Sequence, residues 1–386
     1  MSKRSSTINR RFFMKSGVSV AAVAGMGIST HAESAKEEID PKKILNYQSG
    51  MKYRQLGDTD MYISVISLGG LVNEPGVHEY GIDQGVNLVH ISDSYLGGRS
   101  IVDLGKVLKT KREKVYVALK DNFFSREDYE KEDFSKLDHW LKVLNCEYVD
   151  FFMFNRHDEE SARDPLIKES FEKLKALGKV RYAGHTNHDK NLKACGSALE
   201  SGMFSLLNPV LNINALSVLE GTIKTAHERK IGVMGMKTMG GQESIEDQCA
   251  YLKKLLANPG VTTVVKGIGS FEMFDAYKKA VGEVLTSQEE MKLYRYANAN
   301  RSKNCMMCGE CKGECPKGIE ISTVLRCKDY YLGQMGDRMT ALATYNELSP
   351  GQRWNEECGD CRKCEKVCPN GIQIVDRLST AHQMFA

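Results

Sequence analysis

The chain has 386 residues, of which 41% are hydrophobic and 27% charged, and its formal net charge is +3 at pH 7. This length allows two or three domains and a large core, and the composition is typical of a folded protein in water. The net charge is too small to suggest a nucleic acid or a membrane surface as partner. No DNA or RNA motif is present, so we expect no nucleic-acid partner.

The first 32 residues resemble a bacterial twin-arginine export signal. Asn9–Lys15 contains both arginines, the phenylalanine and the lysine, an apolar stretch covers Ser16–Thr30, and Thr30–Ala32 offers a cleavage site. The apolar stretch is short and glycine-rich for a membrane span. The resemblance implies the twin-arginine translocase as a partner and a periplasmic protein, membrane-associated if the signal is retained. A disordered basic tail before an apolar helix is the alternative. Residues 33–50 are a linker.

Residues 51–285 alternate between short apolar runs and charged helical segments. The apolar runs are Ile63–Leu68, Val86–Ile91, Val115–Leu119, Tyr148–Phe154, Val180–Ala183, Leu206–Leu211, Ile231–Met236 and Val261–Val265. Strands that alternate with helices indicate a parallel sheet. Eight such units predict an α/β fold, the closed (β/α)8 TIM barrel. An open doubly wound sheet is the alternative, but its usual G-x-G-x-x-G after the first strand is not supplied by Gly69–Gly70.

Several motifs in this region resemble the aldo-keto reductase family by their order and spacing. They are Tyr53–Gly57, Val65–Gly70, Gly85–Asn87, Gly178–Asn187 and Gly232–Lys237. The resemblance implies an oxidoreductase whose small-molecule substrate is a carbonyl compound or an alcohol, with a sugar derivative as one option. In that family a tyrosine protonates the carbonyl oxygen, a lysine lowers the pKa of the tyrosine, an aspartate pairs the lysine, and a histidine orients the substrate.

Carried over to this sequence, the resemblance assigns the tyrosine to Tyr95 and the lysine to Lys120. His90 stands where the family has the aspartate, and Asn155 stands where it has the histidine. A neutral histidine cannot replace a carboxylate electrostatically, whereas Asn155 can still hydrogen-bond a carbonyl. His157 follows two residues later. We therefore predict a modified proton-transfer site from these five residues; a decayed site in a barrel that only binds is the alternative.

The resemblance also assigns a nucleotide site. Thr186 and Asn187 match the family's pair that holds the nicotinamide amide, whereas Val210 stands where a glutamine is expected. Lys237 and Lys266 are candidates for phosphate contacts as point charges, or else surface lysines. NADP is therefore predicted with an eroded pocket, and an exported enzyme would have to carry it tightly bound or do without it.

Histidines gather near three predicted strand ends, where a barrel places its active site. They are His90, His157, His185 and His188. With Asp158 or Glu159 they could bind a metal ion, which would make the chain a non-redox metal enzyme with structural clusters. Hydrogen-bonded polar residues around a sugar-like or carboxylate ligand are the alternative.

Residues 286–386 form a second, smaller domain that is mainly helical. Ser287–Glu290 predicts a capping box that opens a connecting helix through Ala299. Two more helices are predicted at Ile321–Tyr331 and Arg338–Leu348. So much helix favours a module similar to the helical two-cluster ferredoxins of respiratory enzymes. Cys327 lies off the cysteine pattern of this domain and is expected to be buried.

Eight of the twelve cysteines repeat the pattern C-x2-C-x2-C-x3-C-P. They are Cys305, Cys308, Cys311 and Cys315 before Pro316, and Cys358, Cys361, Cys364 and Cys368 before Pro369. This spacing binds [4Fe–4S] clusters, with three close cysteines on one cluster and the fourth on the other. Zinc sites or disulfides are the alternatives, but zinc favours separated C-x2-C pairs.

The sequence thus predicts an exported iron–sulfur oxidoreductase with two [4Fe–4S] clusters and a redox partner protein. The twin-arginine route carries folded proteins, so the clusters could be assembled in the reducing cytoplasm before export. The alternative function is a degenerate barrel that binds a ligand or relays electrons without nicotinamide-dependent turnover.

Overall fold

The computed structural model describes residues 39–385 except 71–75, 156–159, 189–190, 239–243, 304, 333–337, 355–357 and 359–360. The predicted export signal and His157 lie outside the described residues. Residues 40–386 form one compact unit. No helix in the described part of the chain is both long and apolar enough to span a bilayer.

Ten strands are described, and eight of them close into a parallel barrel. The strands are β1 Tyr53–Gln55, β2 Tyr62–Ser64, β3 Ile66–Gly69, β4 Leu88–Ser92, β5 Tyr116–Asp121, β6 Val149–Asn155, β7 Val180–Thr186, β8 Leu206–Asn208, β9 Gly232–Gly235 and β10 Thr263–Lys266. The barrel runs in chain order from β3 to β10, and β10 pairs with β3. The predicted (β/α)8 barrel is confirmed.

The first predicted apolar run, Ile63–Leu68, belongs to two different strands. Strands β1 and β2 form an antiparallel hairpin outside the barrel, and Val65 separates β2 from β3. Leu56 and Ile63 of this hairpin region pack into the same core cluster as barrel residues. The hairpin supplies apolar side chains to the barrel core, so β2 and the first barrel strand, β3, read as one apolar run in the sequence.

Nine helices of the described chain accompany the barrel strands. They are α1 Gly76–Asp83, α2 Arg99–Lys111, α3 Arg126–Glu130, α4 Ser135–Val143, α5 Pro165–Ala176, α6 Asn191–Ser201, α7 Leu216–Glu228, α8 Ile245–Ala257 and α9 Phe271–Ala280. A short 3-10 turn, Tyr95–Gly98, follows β4. The sequence alternation of strand and helix therefore continues around the barrel.

The C-terminal domain is helical in its described residues. Its helices are α10 Ser287–Asn300, α11 Ile321–Leu332, α12 Arg338–Glu347, α13 Lys363–Lys366 and α14 Ile374–Phe385. The capping box of α10 is formed by Thr286 and Glu289, not by Ser287 and Glu290 as predicted. Thr286 takes this role because its hydroxyl accepts a hydrogen bond from the Glu289 N–H, the third helical position. Cys327 is buried, as predicted.

Candidate functional site

The predicted catalytic residues His90 and Lys120 lie on neighbouring strands and share the interior face of the barrel. Leu88 and Ala118 belong to the interior core cluster. Because side chains alternate along a strand, His90 and Lys120, each two residues further on, face the same interior. Both are buried, with 4% and 5% of their surface exposed. The carboxyl ends of β4 and β5 therefore place two basic groups at the barrel mouth.

The partner of Lys120 is a histidine. Its ammonium nitrogen Nζ lies 3.0 Å from Nε2 of His188, which follows β7 and is also buried. Burial, followed by the positive charge of Arg326, lowers the pKa of Lys120 from 10.5 to about 7. The ammonium can donate to a neutral imidazole. Near neutral pH this pair can therefore hold or release a proton, a role that a lysine with its ordinary pKa cannot perform.

His90 is neutral. Burial, followed by the charge of Lys120, lowers the pKa of His90 to about 3. Within the described part of the chain no group lies within hydrogen-bonding distance of its Nε2. Its ring centroid is 6.2 Å from that of Tyr95. The structure thus brings His90, Tyr95 and Lys120 into one neighbourhood, although His90 supplies no negative charge to it.

Gly70 makes room for Tyr95. A Cβ at Gly70, directly after β3, would lie 2.5 Å from Cδ2 of Tyr95 and 2.7 Å from Cδ1 of Ile91. Real side chains do not approach so closely, so the absence of a side chain at this position lets the half-buried ring of Tyr95 lie against the strand end. Gly70, the second glycine of the pair noted in the sequence, therefore makes room for the ring of Tyr95.

Asn155 belongs to a polar network at the open rim of the mouth. Its Nδ2 donates to Oδ1 of Asn122 at 2.7 Å. Asn122 in turn donates to the hydroxyls of Ser92 and Ser94 at 2.8 and 3.1 Å. Asn155 is half-buried and Asn122 is exposed. This side of the mouth is polar and open to water, so it offers a route for a polar substrate.

Nearby carboxylates are engaged with other groups. Asp93 accepts a hydrogen bond from the Ser92 hydroxyl at 3.0 Å, and burial raises its pKa. Asp121 accepts from the Tyr129 hydroxyl and from the Phe124 N–H. Each carboxylate raises the pKa of Lys120 by less than Arg326 lowers it. Asp93 therefore does not restore the carboxylate partner that His90 fails to provide.

Two of the predicted nucleotide contacts are engaged in the interior of the protein. Thr186 donates from its hydroxyl to Oδ1 of Asn208 at 3.2 Å. The Cys195 thiol of α6 donates to Oδ1 of Asn187 at 3.4 Å, so Asn187 faces away from the barrel interior. Thr186 and Asn187 have no exposed surface. A dinucleotide could reach neither side chain without local rearrangement.

The two lysines predicted to contact phosphate have different surroundings in the structure. Lys266 is buried between helices, where its ammonium approaches the Gln248 amide oxygen at 3.3 Å and lies 4.9 Å from the Tyr277 ring centroid. Lys237 is half-buried at the mouth, and burial, followed by the charges of Arg326 and Lys120, lowers its pKa well below the ordinary value. Lys237 is thus close enough to Lys120 for their charges to interact, whereas Lys266 contacts Gln248 and Tyr277.

The histidines do not all meet. His185 packs against Phe204 with ring centroids 5.2 Å apart, on the opposite strand face from Thr186. Among the histidines of this group that the structure describes, His90 and His188 lie at the mouth, whereas His185 faces Phe204. Among the described residues, no three histidine, cysteine or acidic side chains are close enough together to hold one metal ion. Asp158 and Glu159 lie outside the described residues.

The cysteine domain packs against the mouth of the barrel. Met307, between two predicted cluster ligands, is 5% exposed and belongs to the barrel core cluster together with Val210 and Met236. Asn212, just after β8, donates from Nδ2 to the carbonyl oxygen of Cys305 at 2.9 Å. The first cysteine motif therefore contacts the barrel just beyond the carboxyl ends of β8 and β9.

Three non-glycine residues at this junction have left-handed backbone. Leu96, Lys237 and Met307 have φ angles of +51°, +50° and +56°. This conformation costs a residue with a side chain about 1–2 kcal/mol. Such outliers collect at functional sites, where the surroundings hold them in place. Their positions after β4, after β9 and inside the cysteine motif mark the mouth as a constrained region.

The eight motif cysteines separate into two quartets that exchange their fourth members. Cys305, Cys308, Cys311 and Cys368 line one cavity. In the other quartet, burial, followed by the charges of Cys315 and Cys361, raises the pKa of Cys358. Burial, Glu365, Cys358 and Cys315 likewise raise the pKa of Cys364 to about 11. The grouping has the crossed arrangement of two-cluster proteins, in which each run lends its last cysteine to the other cluster.

Backbone donors support the first quartet. The N–H of Met307 points to Sγ of Cys305 at 3.4 Å, and the N–H of Ile372 points to Sγ of Cys368 at 3.5 Å. Hydrogen bonds to cysteine sulfurs stabilise thiolate charge and help set the potential of an iron–sulfur cluster. The donor set and its surroundings therefore fit a cluster.

Comparison with known proteins agrees with both parts of the chain. The model of the Aldo/keto reductase family matches residues 77–246, and the model of the 4Fe-4S dicluster domain matches residues 301–372. An aldo-keto reductase from Bacillus halodurans in its holo form is similar in structure, with a TM-score of 0.52 and 21% identity over 64% of this chain and 96% of that chain. At this identity the likeness shows the fold alone.

The cysteine domain also has a curated relative. An iron-sulfur component of the CoB–CoM heterodisulfide reductase of Methanopyrus kandleri is 30% identical over 83 residues, which are 21% of this chain and 38% of that protein. The chain thus spans well under half the length of this relative. It carries an aldo/keto reductase domain followed by a C-terminal 4Fe-4S dicluster domain. The two domain matches together support an oxidoreductase.

Two site residues were missed by sequence reasoning. Met307 is an ordinary apolar residue in a cysteine loop, and Arg326 is one of many charged helical residues. Their importance comes from the docking of the cysteine domain onto the mouth. The two-residue gap between Cys305 and Cys308 carries the methionines Met306 and Met307, and this apolar pair was a usable signal for a buried loop.

Proposed function

We propose that the protein is an exported iron–sulfur oxidoreductase that interconverts a small carbonyl compound and its alcohol. The supporting observation is the insertion of Met307 into the barrel core, because it brings the first cysteine motif against the same barrel whose strands β4 and β5 carry His90 and Lys120. Electrons can then pass between quartet and substrate without a diffusing carrier. The predicted signal supports a periplasmic location and export by the twin-arginine translocase.

Two [4Fe–4S] clusters are proposed as the redox centres. One would be held by Cys305, Cys308, Cys311 and Cys368, and the other by Cys315, Cys358, Cys361 and Cys364. Bound there, the two clusters would supply electron transfer one electron at a time, between the barrel and a redox partner protein. Conversion of a carbonyl to an alcohol takes two electrons and two protons, so one electron from each cluster balances the reaction.

The barrel residues handle the protons. Tyr95 is proposed to donate to the carbonyl oxygen, since its half-buried ring lies beside His90 at the mouth. The Lys120–His188 pair would replace that proton, because the pKa of Lys120 is about 7. The second proton, which ends on the carbonyl carbon, would come from water at the open rim beside Asn155 and Asn122. Asn155 can hydrogen-bond the carbonyl from the open rim. His157 is proposed as a further neighbour of the substrate, from its sequence position alone.

NADP does not fit these residues well. The predicted amide-binding pair Thr186 and Asn187 has no exposed surface, and Lys266 is engaged between helices. Val210, at the position expected for a glutamine, packs with Met307 in the barrel core. The cysteine domain thus covers the sector of the mouth that the resemblance assigns to the nicotinamide. We therefore assign electron supply to the quartets rather than to a nucleotide.

The test uses mature protein purified without oxygen from the exporting cell. Its clusters are reduced with dithionite, the excess is removed, and small aldehydes and ketones are added while the visible absorbance of the clusters is followed. We expect at least one carbonyl compound to reoxidise the clusters with formation of its alcohol. Tyr95→Phe should slow this about 100-fold or more, because it removes the proton donor. Tyr294→Phe, on the exposed face of α10, should not.

Two outcomes would change the proposal. Equal reoxidation by wild type and Tyr95→Phe would remove the role of Tyr95. If no carbonyl compound reoxidises the clusters, the alternative function is favoured, a ligand-binding or electron-relay component without turnover. His90, which stands where the family has the aspartate, already points to this alternative. Release of about one NADP per chain on denaturation, identified by mass spectrometry, would restore nicotinamide chemistry.

A further inference from the structure

Ser322 is a buried polar residue of the cysteine domain that lies outside both cysteine motifs. It is the second residue of α11 and is 3% exposed. Its hydroxyl oxygen Oγ has no hydrogen-bond partner within the described part of the chain. The great majority of buried polar atoms in proteins have a partner, so an exception calls for an explanation.

The position of Ser322 at the start of a helix does not supply that explanation. A serine in such a place often bonds a nearby backbone group through its hydroxyl. The Ser322 hydroxyl forms no such bond among the described residues. The first turn of α11 closes through the backbone instead, where the Val324 N–H donates to the Glu320 carbonyl oxygen at 3.0 Å. The hydroxyl therefore serves neither as a cap nor as a turn.

The Ser322 side chain shares a cavity with the first cysteine quartet. Most of the other lining side chains are apolar, among them Leu325, Ile372 and Ile374, and Asn370 is a polar one. A buried water needs several polar partners, which such surroundings supply poorly. Sulfur is the abundant acceptor of this cavity, because four cysteines line it, Cys305, Cys308, Cys311 and Cys368.

The helix holds Ser322 in place on both sides. Ile321, Val324 and Leu325 are buried in the core cluster of the cysteine domain, and Cys305 and Cys368 pack against the same cluster. A functional group whose neighbours are locked by packing stays in one position when its ligand binds. The serine hydroxyl is thus a fixed donor beside the quartet.

We propose that the Ser322 hydroxyl donates a hydrogen bond to a sulfur of the [4Fe–4S] cluster held by the first quartet, and that this bond raises the reduction potential of that cluster. Reduction adds one electron, and with it negative charge, while no covalent bond forms or breaks. A hydrogen bond to sulfur strengthens as the sulfur becomes more negative, so the donor favours the reduced form. This inference rests on the clusters of the proposed function, but its test needs no substrate.

The consequence is a direction for electrons inside the cysteine domain. Cys361 of the second quartet is exposed, so a redox partner protein can approach that side. Cys305 of the first quartet contacts the barrel, because its carbonyl oxygen accepts a hydrogen bond from Asn212. A raised potential at the first quartet draws an electron that enters at the exposed quartet toward the barrel.

The test is a potentiometric titration of the full-length, cluster-loaded protein without oxygen, followed by electron paramagnetic resonance. Ser322→Ala should make reduction of one cluster about tenfold less favourable, which lowers its potential by about 59 mV for a one-electron couple. The other cluster should keep its potential. Ser322→Thr, which retains a hydroxyl, should restore the wild-type value. Thr323→Val is the matched control: it removes a hydroxyl from the next position of α11, outside the cavity lining, and should change neither potential.

If Ser322→Ala does not retain its iron, the wild type itself provides a second readout. Resonance Raman spectra of the iron–sulfur stretching bands are recorded before and promptly after transfer to heavy water. A hydroxyl proton exchanges faster than protected buried amide protons, so a prompt shift of the bands is expected. Equal potentials in wild type and Ser322→Ala, or bands that do not shift, would overturn this inference and leave the proposed clusters in place. A wild type that holds no cluster would instead remove the proposed function, and this inference with it.

Discussion

Replacing Lys120 by methionine is expected to stabilise the fold by an amount that depends on pH. Burial and Arg326 lower the pKa of Lys120 from 10.5 to about 7. Between these values the unfolded chain binds more protons than the folded protein, so the stability of the wild type rises with pH. This difference between the pKa of Lys120 in the unfolded chain and in the folded protein lowers the free energy of unfolding of the wild type by about 5 kcal/mol at pH 6. The variant escapes this penalty but loses the contact between Lys120 and His188, which costs about 1–3 kcal/mol.

The variant should therefore be more stable than the wild type by about 2–4 kcal/mol at pH 6. This advantage should shrink by about 2.5 kcal/mol between pH 6 and pH 9, as Lys120 of the folded wild type loses its proton. Urea-unfolding midpoints of the cluster-loaded proteins, measured without oxygen, give the difference. Lys109→Met, at an exposed position of α2, should show no such pH dependence. A stability gap between wild type and Lys120→Met that is the same at both pH values would refute the reasoning.

Two further substitutions test the junction and the quartets. Met307→Ala should lower the free energy of unfolding by about 2–5 kcal/mol, because it leaves a cavity in the barrel core. The control Met339→Ala, at an exposed position, should change that free energy by less than about 0.5 kcal/mol. Equal urea-unfolding midpoints for the two variants would argue against the insertion of Met307. Cys368→Ser should lower the iron content by about half, because Cys368 belongs to the quartet of Cys305, Cys308 and Cys311. The control Cys249→Ser should keep all of its iron. Full iron content in the Cys368 variant would contradict the crossed arrangement.

The barrel could be predicted because its signal is local and repeated. Apolar runs of strand length alternate with amphipathic segments, and a parallel sheet is the arrangement that buries both. Boundaries were less certain where two elements share one apolar run, as at Ile63–Leu68. The start of α5 at Pro165 is set by Asp164, which accepts a hydrogen bond from the Leu166 N–H and caps the helix. Several polar residues can cap a helix, and packing decides among them.

The candidate site was predictable in part. Tyr95 and Lys120 come from motifs with fixed places on the strands, and the structure puts both at the mouth. The partner of Lys120 was not predictable, because His188 lies 68 residues away and only the closed barrel brings them within 3.0 Å. Arg326 is further still along the chain, on a helix of another domain. A sequence pattern contains no information on how one domain docks on another.

This docking explains how a barrel that lost its catalytic aspartate can still tune its lysine. In the family pattern the aspartate would hold the lysine charged; here burial and Arg326 act in the opposite direction and bring the pKa of Lys120 to about 7. A lysine near neutrality can itself deliver a proton, which a permanently charged one does poorly. The same helix that supplies Arg326 also packs in the core of the cysteine domain through Val324 and Leu325. In the proposed function, proton supply and electron supply therefore both depend on the contact between the barrel and the cysteine domain, and a barrel separated from that domain is expected to lose both.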